Sequence, residues 1–362
     1  MAITRLPLSE FMQFSQSHPV LDVRSPAEYL HAHIPGAISF PLFTDEERTI
    51  VGTAYKQESK QVAIKWGLKF FGSRMVEMVE EAEKIIAQYY TNNETEKTAE
   101  KPNNIVLVHC WRGGMRSAGV AWLLDLYGWQ VYTLMGGYKV YRNHVLQQFT
   151  TNYSFRMLGG CTGSGKTGII QILQQKGIPA INLEKIANHK GSAFGNLGMP
   201  PQPSQEMFEN LLAKELETIT NKNQHIIPIW LEDESQRIGN INIPGNIFSQ
   251  MRSSPLYFLD IPFEERLQQI IKDYGSFSAE QIIATIQRIK KRLGGLETQL
   301  AIQHMEQQSI ADCFRILLKY YDKYYLGSLH NLRSATATAI HQLPLNTVDG
   351  DMNANSLLAI AK

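Results

Sequence analysis

The sequence predicts an α/β fold made of two consecutive domains, each organised around a mainly parallel sheet. Short apolar strands alternate with helical segments through most of the 362 residues, a pattern typical of parallel sheets with helical connections. Two candidate anion-binding loops, residues 109–117 and 160–167, each follow an apolar strand and precede an apolar helix. The chain is long enough for two domains with separate hydrophobic cores.

Composition excludes some classes of protein without selecting one. Lys and Arg total 35 against 34 Asp and Glu, a formal net charge of +1, so a polyanionic partner would have to bind a local basic patch. The three cysteines, Cys110, Cys161 and Cys313, are too few for a disulfide framework and suit a reducing compartment. No signal segment or membrane-length apolar run is present. We therefore expect a soluble, cytoplasmic protein with no membrane partner.

The first domain is expected over residues 1–150. Its first strand, residues 20–24, precedes a helix that starts with Ser25 as the cap and Pro26 in the first turn. A strand over residues 38–40 and an amphipathic helix over residues 75–90 follow. The polar stretch 91–102 predicts a solvated loop, in which we expect no catalytic group.

A cysteine lies where the next predicted strand, residues 106–109, enters a glycine-containing loop. Cys110 opens this loop, Arg116 closes it, and residues 118–126 are typical of an apolar helix. Loop amides, the helix N-terminus and Arg116 are expected to lower the pKa of the thiol and to bind an anion above the sulfur. We predict that Cys110 is a nucleophile and that Arg112 and Arg116 are the catalytic cations beside it.

The second loop fits the Walker A pattern G-x-x-x-x-G-K-[ST]. It lies between a predicted strand over residues 155–159 and a predicted helix over residues 168–175. Glycines let backbone N–H groups turn toward phosphate oxygens, Lys166 reaches the same oxygens, and Thr167 can ligate Mg²⁺. The predicted phosphate-binding residues are Gly160, Gly163, Ser164, Gly165, Lys166 and Thr167.

An acidic segment is the candidate metal-binding partner of the Walker A loop. A predicted apolar strand, residues 226–231, ends at Glu232 and Asp233, which stand where a Walker B acid would meet the magnesium ion. We therefore predict Thr167, Glu232 and Asp233 as Mg²⁺ ligands. Pro228 within this strand is unusual for a central position in a sheet.

The remaining segments complete the two domains. A strand over residues 131–134 and a helix that ends near Phe149 finish the first domain, with the boundary expected at residues 150–154. The second domain, residues 151–330, adds a strand over residues 256–260 and then turns helical. A capping box at Ser278 and Gln281 predicts where its helical part begins, and Gly294 with Gly295 predicts a break. The helices before and after this break are expected to end near Leu293 and near Tyr325. Residues 331–362 form a weakly patterned tail.

The first domain resembles rhodanese domains. The segments that carry this resemblance, in rhodanese order, are Asp22-Val23-Arg24, His33-Ile34-Pro35-Gly36-Ala37, the Cys110 loop and residues 135–139. The fusion of this domain to a Walker A domain resembles the architecture of the tRNA 2-selenouridine synthases. Residues 51–57, 189–195 and 231–235 also resemble segments of that family. The resemblance implies a rhodanese-like parallel-sheet domain followed by a P-loop NTPase-like α/β domain with a helical C-terminal part.

The resemblance also implies an activity. In that family the wobble 2-thiouridine of tRNA is S-geranylated from geranyl diphosphate, and selenium from selenophosphate then replaces the geranylthio group. It implies tRNA, geranyl diphosphate and selenophosphate as substrates, Mg²⁺ as the cofactor and Cys110 as the selenium carrier. Five residues separate Cys110 from Arg116, one more than in common rhodanese loops, so this loop can seat a larger anion beside Arg112 and Arg116. The Walker A loop would hold the paired phosphates of geranyl diphosphate.

Two other functions fit parts of the sequence. The run from His109 to Ser117 also matches the H-C-x-x-x-x-x-R-[ST] pattern of cysteine phosphatases, with Asp45 and Glu46 as candidate acids. Release of phosphate from a phosphotyrosine mimic would identify this activity. The third possibility is a P-loop kinase with a regulatory rhodanese module, which would turn over ATP.

Binding of tRNA would require local positive charge, and two clusters are candidates. The first consists of Arg288, Lys290, Lys291 and Arg292. The second interleaves four cations with aromatic residues: Lys60, Lys65, Lys69 and Arg74 with Trp66, Phe70 and Phe71. Phosphate contacts and base stacking are the interactions that such clusters provide.

Overall fold

A computed structural model describes residues 3–92, 104–223, 227–334 and 339–361 of the chain. The chain divides into two compact units, Met1–Gln147 and Gln148–Lys362. Each unit contains a five-stranded sheet in which every neighbouring pair of strands is parallel. The α/β class expected from the sequence is therefore confirmed.

The first unit has the sheet order β1-β5-β4-β2-β3. Its elements are β1 (Thr4–Leu6), α1 (Leu8–Phe14), β2 (Val20–Asp22), α2 (Pro26–His31), β3 (Ile38–Ser39), α3 (Asp45–Gln57), α4 (Lys60–Asn92), β4 (Ile105–His109), α5 (Met115–Tyr127), β5 (Gln130–Leu134) and α6 (Gly137–Gln148). The central strand β4 is almost wholly buried, as expected of a parallel strand with neighbours on both sides. Its carboxyl end carries Cys110 into the following loop.

Two helices of this unit differ from the prediction. The helix expected over residues 75–90 is the second half of α4, which begins at Lys60. Helix α3 was not predicted because its first turn is acidic and few of its side chains are buried. Asp45 and Glu46 lie in that first turn, where the Asp45 carboxylate accepts the Ala27 N–H at 3.0 Å. Most of the loop predicted over residues 91–102 lies outside the described residues.

The second unit has the sheet order β12-β11-β6-β8-β7. Its elements are β6 (Phe155–Gly160), α7 (Lys166–Gln175), β7 (Ala180–Ile181), α8 (Leu183–Ala187), α9 (Gln205–Asn223), β8 (Ile229–Glu232), the antiparallel pair β9 (Arg237–Ile238) and β10 (Ile241–Asn242), α10 (Gly245–Arg252), β11 (Leu256–Asp260), α11 (Phe263–Tyr274), α12 (Ala279–Arg288), α13 (Lys290–Leu293), α14 (Gly295–Glu306), α15 (Ile310–Ser334), β12 (Ile340–Pro344) and α16 (Gly350–Ile360). The Walker A loop leaves the carboxyl end of β6, the central strand.

Strand β8 begins one residue after Pro228, so the proline is not inside the sheet and the predicted strand is corrected to Ile229–Glu232. The helix predicted to end near Tyr325 is two helices, α14 and α15. They are separated around Gln308, a non-glycine residue with a φ of 60°. The helix boundary at Gly294 and the capping box of Ser278 with Gln281 are confirmed.

The weakly patterned tail is the largest departure from the prediction. Residues 340–344 form the edge strand β12, in parallel register with all five residues of β11. Helix α16 contributes Ala354 and Leu357 to the core cluster that also contains Trp230. Four of the five β12 residues are exposed, so the alternation that reveals a strand is missing from this edge. The tail is therefore an integral part of the second unit.

None of the described helices is both long enough and apolar enough to cross a membrane.

Helix α16 provides a test of this correction. Leu357 is fully buried, so Leu357→Ala should lower the free energy of unfolding of the second unit by about 2–5 kcal/mol. Ile360→Ala on the same helix, at a position that is 45% exposed, should change it by less than about 0.5 kcal/mol. Urea-dependent hydrogen exchange of β6 peptides measures both values. Equal effects of the two substitutions would show that α16 does not pack on this core.

Candidate functional site

Cys110 lies at the carboxyl end of β4, at the base of its loop. Its sulfur is 3.3 Å from the Ser117 Oγ, and the Ser117 hydroxyl also lies 3.1 Å from the Gly114 carbonyl oxygen, to which it can donate. Only 3% of the residue is exposed. The thiol is therefore covered: the residue belongs to the hydrophobic core cluster of the first unit, and its sulfur also contacts the Ser117 hydroxyl.

The surroundings of Cys110 favour the thiolate. Burial alone would raise the pKa of the thiol, but four other contributions lower it below its usual value. They are the hydrogen bond from Ser117, the positive charge of Arg116, and the backbone N–H groups of Ser117 and Arg112. The thiolate is the nucleophilic form of cysteine. Sequence reasoning placed Ser117 at the end of the loop but did not assign it this hydrogen bond.

Two glycines fix the shape of the cysteine loop. Gly113 and Gly137 have φ values of 61° and 62°, which L side chains rarely adopt. A Cβ on Gly137 would lie 2.3 Å from the carbonyl oxygen of Cys110, so another residue would displace the loop. Beyond Gly137, Tyr138 N–H donates to the Cys110 carbonyl at 2.8 Å. The start of α6 thereby holds the backbone next to the thiol.

The two predicted arginines have different environments. Arg116 forms an ion pair with Glu28 at 2.6 Å, and Arg48 lies 3.6 Å from the same carboxylate. The side chain of Arg112 is exposed, whereas its backbone N–H points toward the sulfur. An anion above Cys110 would therefore share Arg116 with Glu28. Glu28, which caps the start of α2 through the Ser25 N–H, was missed by sequence reasoning.

His109 supports the loop from below. It is fully buried, with its Nε2 3.7 Å from the Asp22 carboxylate, and burial lowers its pKa, so the neutral ring is favoured. Asp22 is bound by Arg24, whose Nη2 lies 2.6 Å from Oδ2. His109 thus packs beneath the loop, away from solvent.

The Walker A loop has the conformation that its glycines predict. Gly160, Gly163 and Gly165 all have positive φ values, of 149°, 83° and 76°. Lys166 Nζ donates to the Gly160 carbonyl at 2.9 Å, which holds the ammonium group across the loop. The Ser164 hydroxyl is buried and has no hydrogen-bond partner among the described residues. Ser164 contributes to the cavity wall but its hydroxyl is not exposed to a ligand.

The two acids that the sequence predicted beside this loop, Glu232 and Asp233, already have partners in the structure. Glu232 is fully buried and accepts the Leu183 N–H at 2.8 Å, and it is absent from the described cavity wall. Asp233 reaches the cavity but is bound by Arg252 at 2.5 Å and by the Tyr325 hydroxyl at 3.0 Å. Two other carboxylates on the cavity wall are therefore better candidates for metal ligands.

Glu184 and Glu234 are these carboxylates, and both line the cavity above the loop. The Thr167 hydroxyl donates to Glu184 at 2.6 Å. Burial, and to a smaller extent Glu184, raise the pKa of Glu234 to about 8, and burial also raises the pKa of Glu184. Glu234 follows the end of the predicted strand, Leu231, by three residues, whereas nothing in the sequence connects Glu184 to the loop.

The cavity has a volume of about 1310 Å³ and lies entirely within the second unit. The Walker A loop forms one part of its wall, while aromatic residues of α11 and α15, among them Tyr274, Tyr320 and Tyr324, form another. This volume exceeds that of ordinary ligand pockets, which measure about 300–1,000 Å³. A larger ligand, or two ligands together, can be accommodated.

Both units match known protein families. Residues 153–342 match the family described as tRNA 2-selenouridine synthase AAA domain, and residues 8–69 match the rhodanese-like domain. A protein named tRNA 2-selenouridine synthase from Bdellovibrio bacteriovorus is 33% identical over 358 residues, which cover 87% of this chain and 90% of the relative. The protein of the same name from Shewanella denitrificans is 32% identical, with 88% and 91% covered.

The chain belongs to the tRNA 2-selenouridine synthase family. Its architecture, a rhodanese-like domain followed by a P-loop-type domain, is confirmed by the two family matches. The rhodanese match ends at residue 69 and does not reach the Cys110 loop, so the geometry around Cys110 carries the argument for that site. Membership in this family favours a synthase over the phosphatase and kinase alternatives.

The environment of Cys110 predicts selective alkylation. The pKa of Cys161 is raised to about 11 by burial and by Asp322, and burial raises that of Cys313 to about 12. Iodoacetamide should therefore modify Cys110 at a lower pH than the other two cysteines, which serve as internal controls. Ser117→Ala should raise the pH at which half of Cys110 is alkylated, because the thiolate no longer accepts a hydrogen bond from a hydroxyl group.

Mass spectrometry of tryptic peptides after alkylation between pH 6 and pH 10 measures these midpoints. If the pH of half-maximal alkylation is no lower for Cys110 than for Cys161, the Cys110 thiol is not activated.

Proposed function

We propose that this protein converts the wobble 2-thiouridine of tRNA into 2-selenouridine in two steps. S-geranylation from geranyl diphosphate comes first, and selenium from selenophosphate then replaces the geranylthio group. Family membership supports the overall conversion. The observation that carries the assignment of two steps is the presence of two anion-binding loops, one in each unit, of which only the first holds an activated thiol.

The Walker A cavity suits the geranylation step. Backbone N–H groups of the loop, together with Lys166, would hold the two phosphates and stabilise the negative charge that develops on the leaving diphosphate. Sulfur of the 2-thiouridine attacks the first carbon of the geranyl chain, a carbon–sulfur bond forms, and the carbon–oxygen bond to diphosphate breaks. The cavity is large enough to hold a prenyl chain beside the loop.

Mg²⁺ fits the residues around Thr167. Hydroxyl and carboxylate oxygens are the donors that this ion prefers, and substrate phosphates usually complete its coordination. Among the described residues, no three His, Cys, Asp or Glu side chains are arranged to hold a metal ion by themselves. Thr167, Glu184 and Glu234 would hold Mg²⁺, which would neutralise charge on the diphosphate when bound.

The Cys110 loop suits the selenation step. The thiolate is favoured there, and Arg116 with the loop N–H groups can bind the tetrahedral phosphate group of selenophosphate. The Cys110 thiolate would attack the phosphorus of selenophosphate, so that a sulfur–phosphorus bond forms, the phosphorus–selenium bond breaks and selenide is released. The selenide would then add at C2 of the uridine, where geranylthiolate leaves, and water would free Cys110 by releasing phosphate. Glu28 holds Arg116 in position. Arg112 is exposed at the rim of the loop and can approach the same anion.

Two substitutions separate the steps. Cys110→Ala should leave geranylation intact and abolish formation of 2-selenouridine, so that S-geranyl-2-thiouridine accumulates. Lys166→Ala should reduce use of geranyl diphosphate by about 100-fold or more, because the variant has no ammonium group to stabilise the leaving diphosphate. Lys176→Ala, at the other end of α7, is a matched control and should retain both steps. Mass spectrometry of nucleosides from treated tRNA measures each product.

Loss of both steps in either variant, with thermal unfolding unchanged, would contradict this division of labour.

The raised pKa of Glu234 predicts a pH dependence of metal binding. A carboxylate binds the ion in its charged form, and burial keeps Glu234 protonated below its pKa of about 8. Affinity for Mn²⁺ in the presence of diphosphate should therefore increase with pH, by up to about tenfold per unit below pH 8, and should level off above it. Electron paramagnetic resonance measures free Mn²⁺ directly.

Glu234→Gln should weaken Mn²⁺ binding and flatten this profile. A profile identical to that of the unchanged protein would remove Glu234 from the set of ligands.

A further inference from the structure

The mouth of the Walker A cavity combines exposed aromatic rings with positive charge. Arg292 of α13 and Tyr320 and Tyr324 of α15 all line the cavity. The Tyr324 hydroxyl lies 3.4 Å from the carbonyl oxygen of Arg292, and the rings of Tyr320 and Tyr324 are 4.7 Å apart. We call these three residues, with the adjacent Lys290 and Lys291, the tyrosine rim.

The charge of the tyrosine rim is uncompensated along the chain. Residues 288–296 include four cations and no acidic residue. Lys290, Lys291 and Arg292 are all exposed, and within the described parts of the chain none of the three forms an ion pair with a carboxylate. A short helix with three consecutive exposed cations attracts a polyanion, such as a nucleic-acid backbone.

The aromatic component points to a single-stranded nucleic acid. Tyr324 is 55% exposed, and its neighbour Tyr320 is half-buried. Unstacked RNA bases bind such rings by stacking, and anticodon loops present bases in this form. Tyr320 also packs against the helical core cluster, so Tyr324, which lies on the cavity wall and is exposed beside three cations, is the ring most available to a base.

The second basic cluster of the sequence lacks these properties. The rings of Trp66 and Phe70 stack on each other, and Lys69 lies over Trp66 at 5.0 Å. Phe71 is buried, and Arg74 lies 3.9 Å from Glu47. Its aromatic residues therefore pack within the first unit, so the tyrosine rim is the better candidate for RNA.

We propose that the tyrosine rim binds the anticodon loop of tRNA, with Tyr320 and Tyr324 stacking on unpaired bases and Lys290, Lys291 and Arg292 contacting phosphates. This inference rests on the proposed function, because the substrate must be an RNA whose target base enters the Walker A cavity. A base stacked at the rim lies at the entrance to the cavity that holds Lys166 and Thr167. The rim therefore selects an unstacked loop over a base-paired stem.

The test is binding of an anticodon stem-loop that carries 2-thiouridine at the wobble position, measured by fluorescence anisotropy at several salt concentrations. Tyr324→Ala should weaken binding roughly 5- to 100-fold, as expected for removal of one stacking platform, whereas Tyr324→Phe should retain it. Lys291→Ala combined with Arg292→Ala should weaken binding and lower the slope of log affinity against log salt by about 0.7 for each phosphate that is no longer neutralised.

Two matched controls should bind like the unchanged protein. Lys319→Ala removes an exposed cation of α15 outside the cavity wall, and Tyr127→Ala removes an equally exposed ring of the first unit, 53% against 55%. Binding of inorganic diphosphate, measured by calorimetry, should be unchanged in all rim variants, because the Walker A loop and Lys166 are the groups assigned to the phosphates. This readout separates weaker RNA binding at the rim from a damaged cavity.

The outcomes distinguish the inference from the proposed function. If the unchanged protein binds the stem-loop and the rim variants bind it equally well, the tyrosine rim is not the RNA surface, although the proposed function stands. If the unchanged protein binds geranyl diphosphate but not the stem-loop, both the inference and a tRNA substrate are wrong. Selective weakening in Tyr324→Ala and in the double variant supports the inference.

Discussion

Both candidate sites depend on one constraint: backbone N–H groups must face an anion at the carboxyl end of a central parallel strand. The strand places the loop at the edge of its sheet, and the following helix adds its N-terminus. Gly137 in the first unit and Gly163 in the second are required because a Cβ would lie 2.3 Å and 2.7 Å from backbone oxygens. Substitution of either would move the loop away from its anion.

The same electrostatic rules give opposite results in the two units. Around Cys110, hydrogen-bond donors and Arg116 outweigh burial, so the pKa of the thiol falls and a nucleophile is available. Around Thr167, burial dominates and raises the pKa values of Glu184 and Glu234, and the charge of Glu184 raises that of Glu234 further. A cation or a proton is then favoured between these carboxylates. One pocket is prepared for attack by sulfur, and the other for a cation and phosphates.

Motifs with local signals were predictable from sequence, whereas contacts between distant segments were not. The Cys110 and Walker A loops follow from strand, glycine and helix patterns within about 20 residues. Glu184 lies 17 residues after Thr167, but no local pattern directs α8 toward the Walker A loop, and Glu28 meets Arg116 across 88 positions of sequence. Strand β12 escaped detection because an exposed edge strand has little hydrophobic alternation. Glu232 was expected just after its strand, but it is the last residue of β8 and accepts the Leu183 N–H, a contact between elements that the sequence pattern does not show.

The central claim is that the two steps occur at separate sites, and a sequential reaction tests it most directly. Transfer RNA is first treated with the Cys110→Ala protein and geranyl diphosphate, purified, and then given to the Lys166→Ala protein with selenophosphate. We expect 2-selenouridine to form, although neither variant makes it from 2-thiouridine alone. Absence of 2-selenouridine, under conditions in which the unchanged protein converts the same purified tRNA, would contradict separate sites.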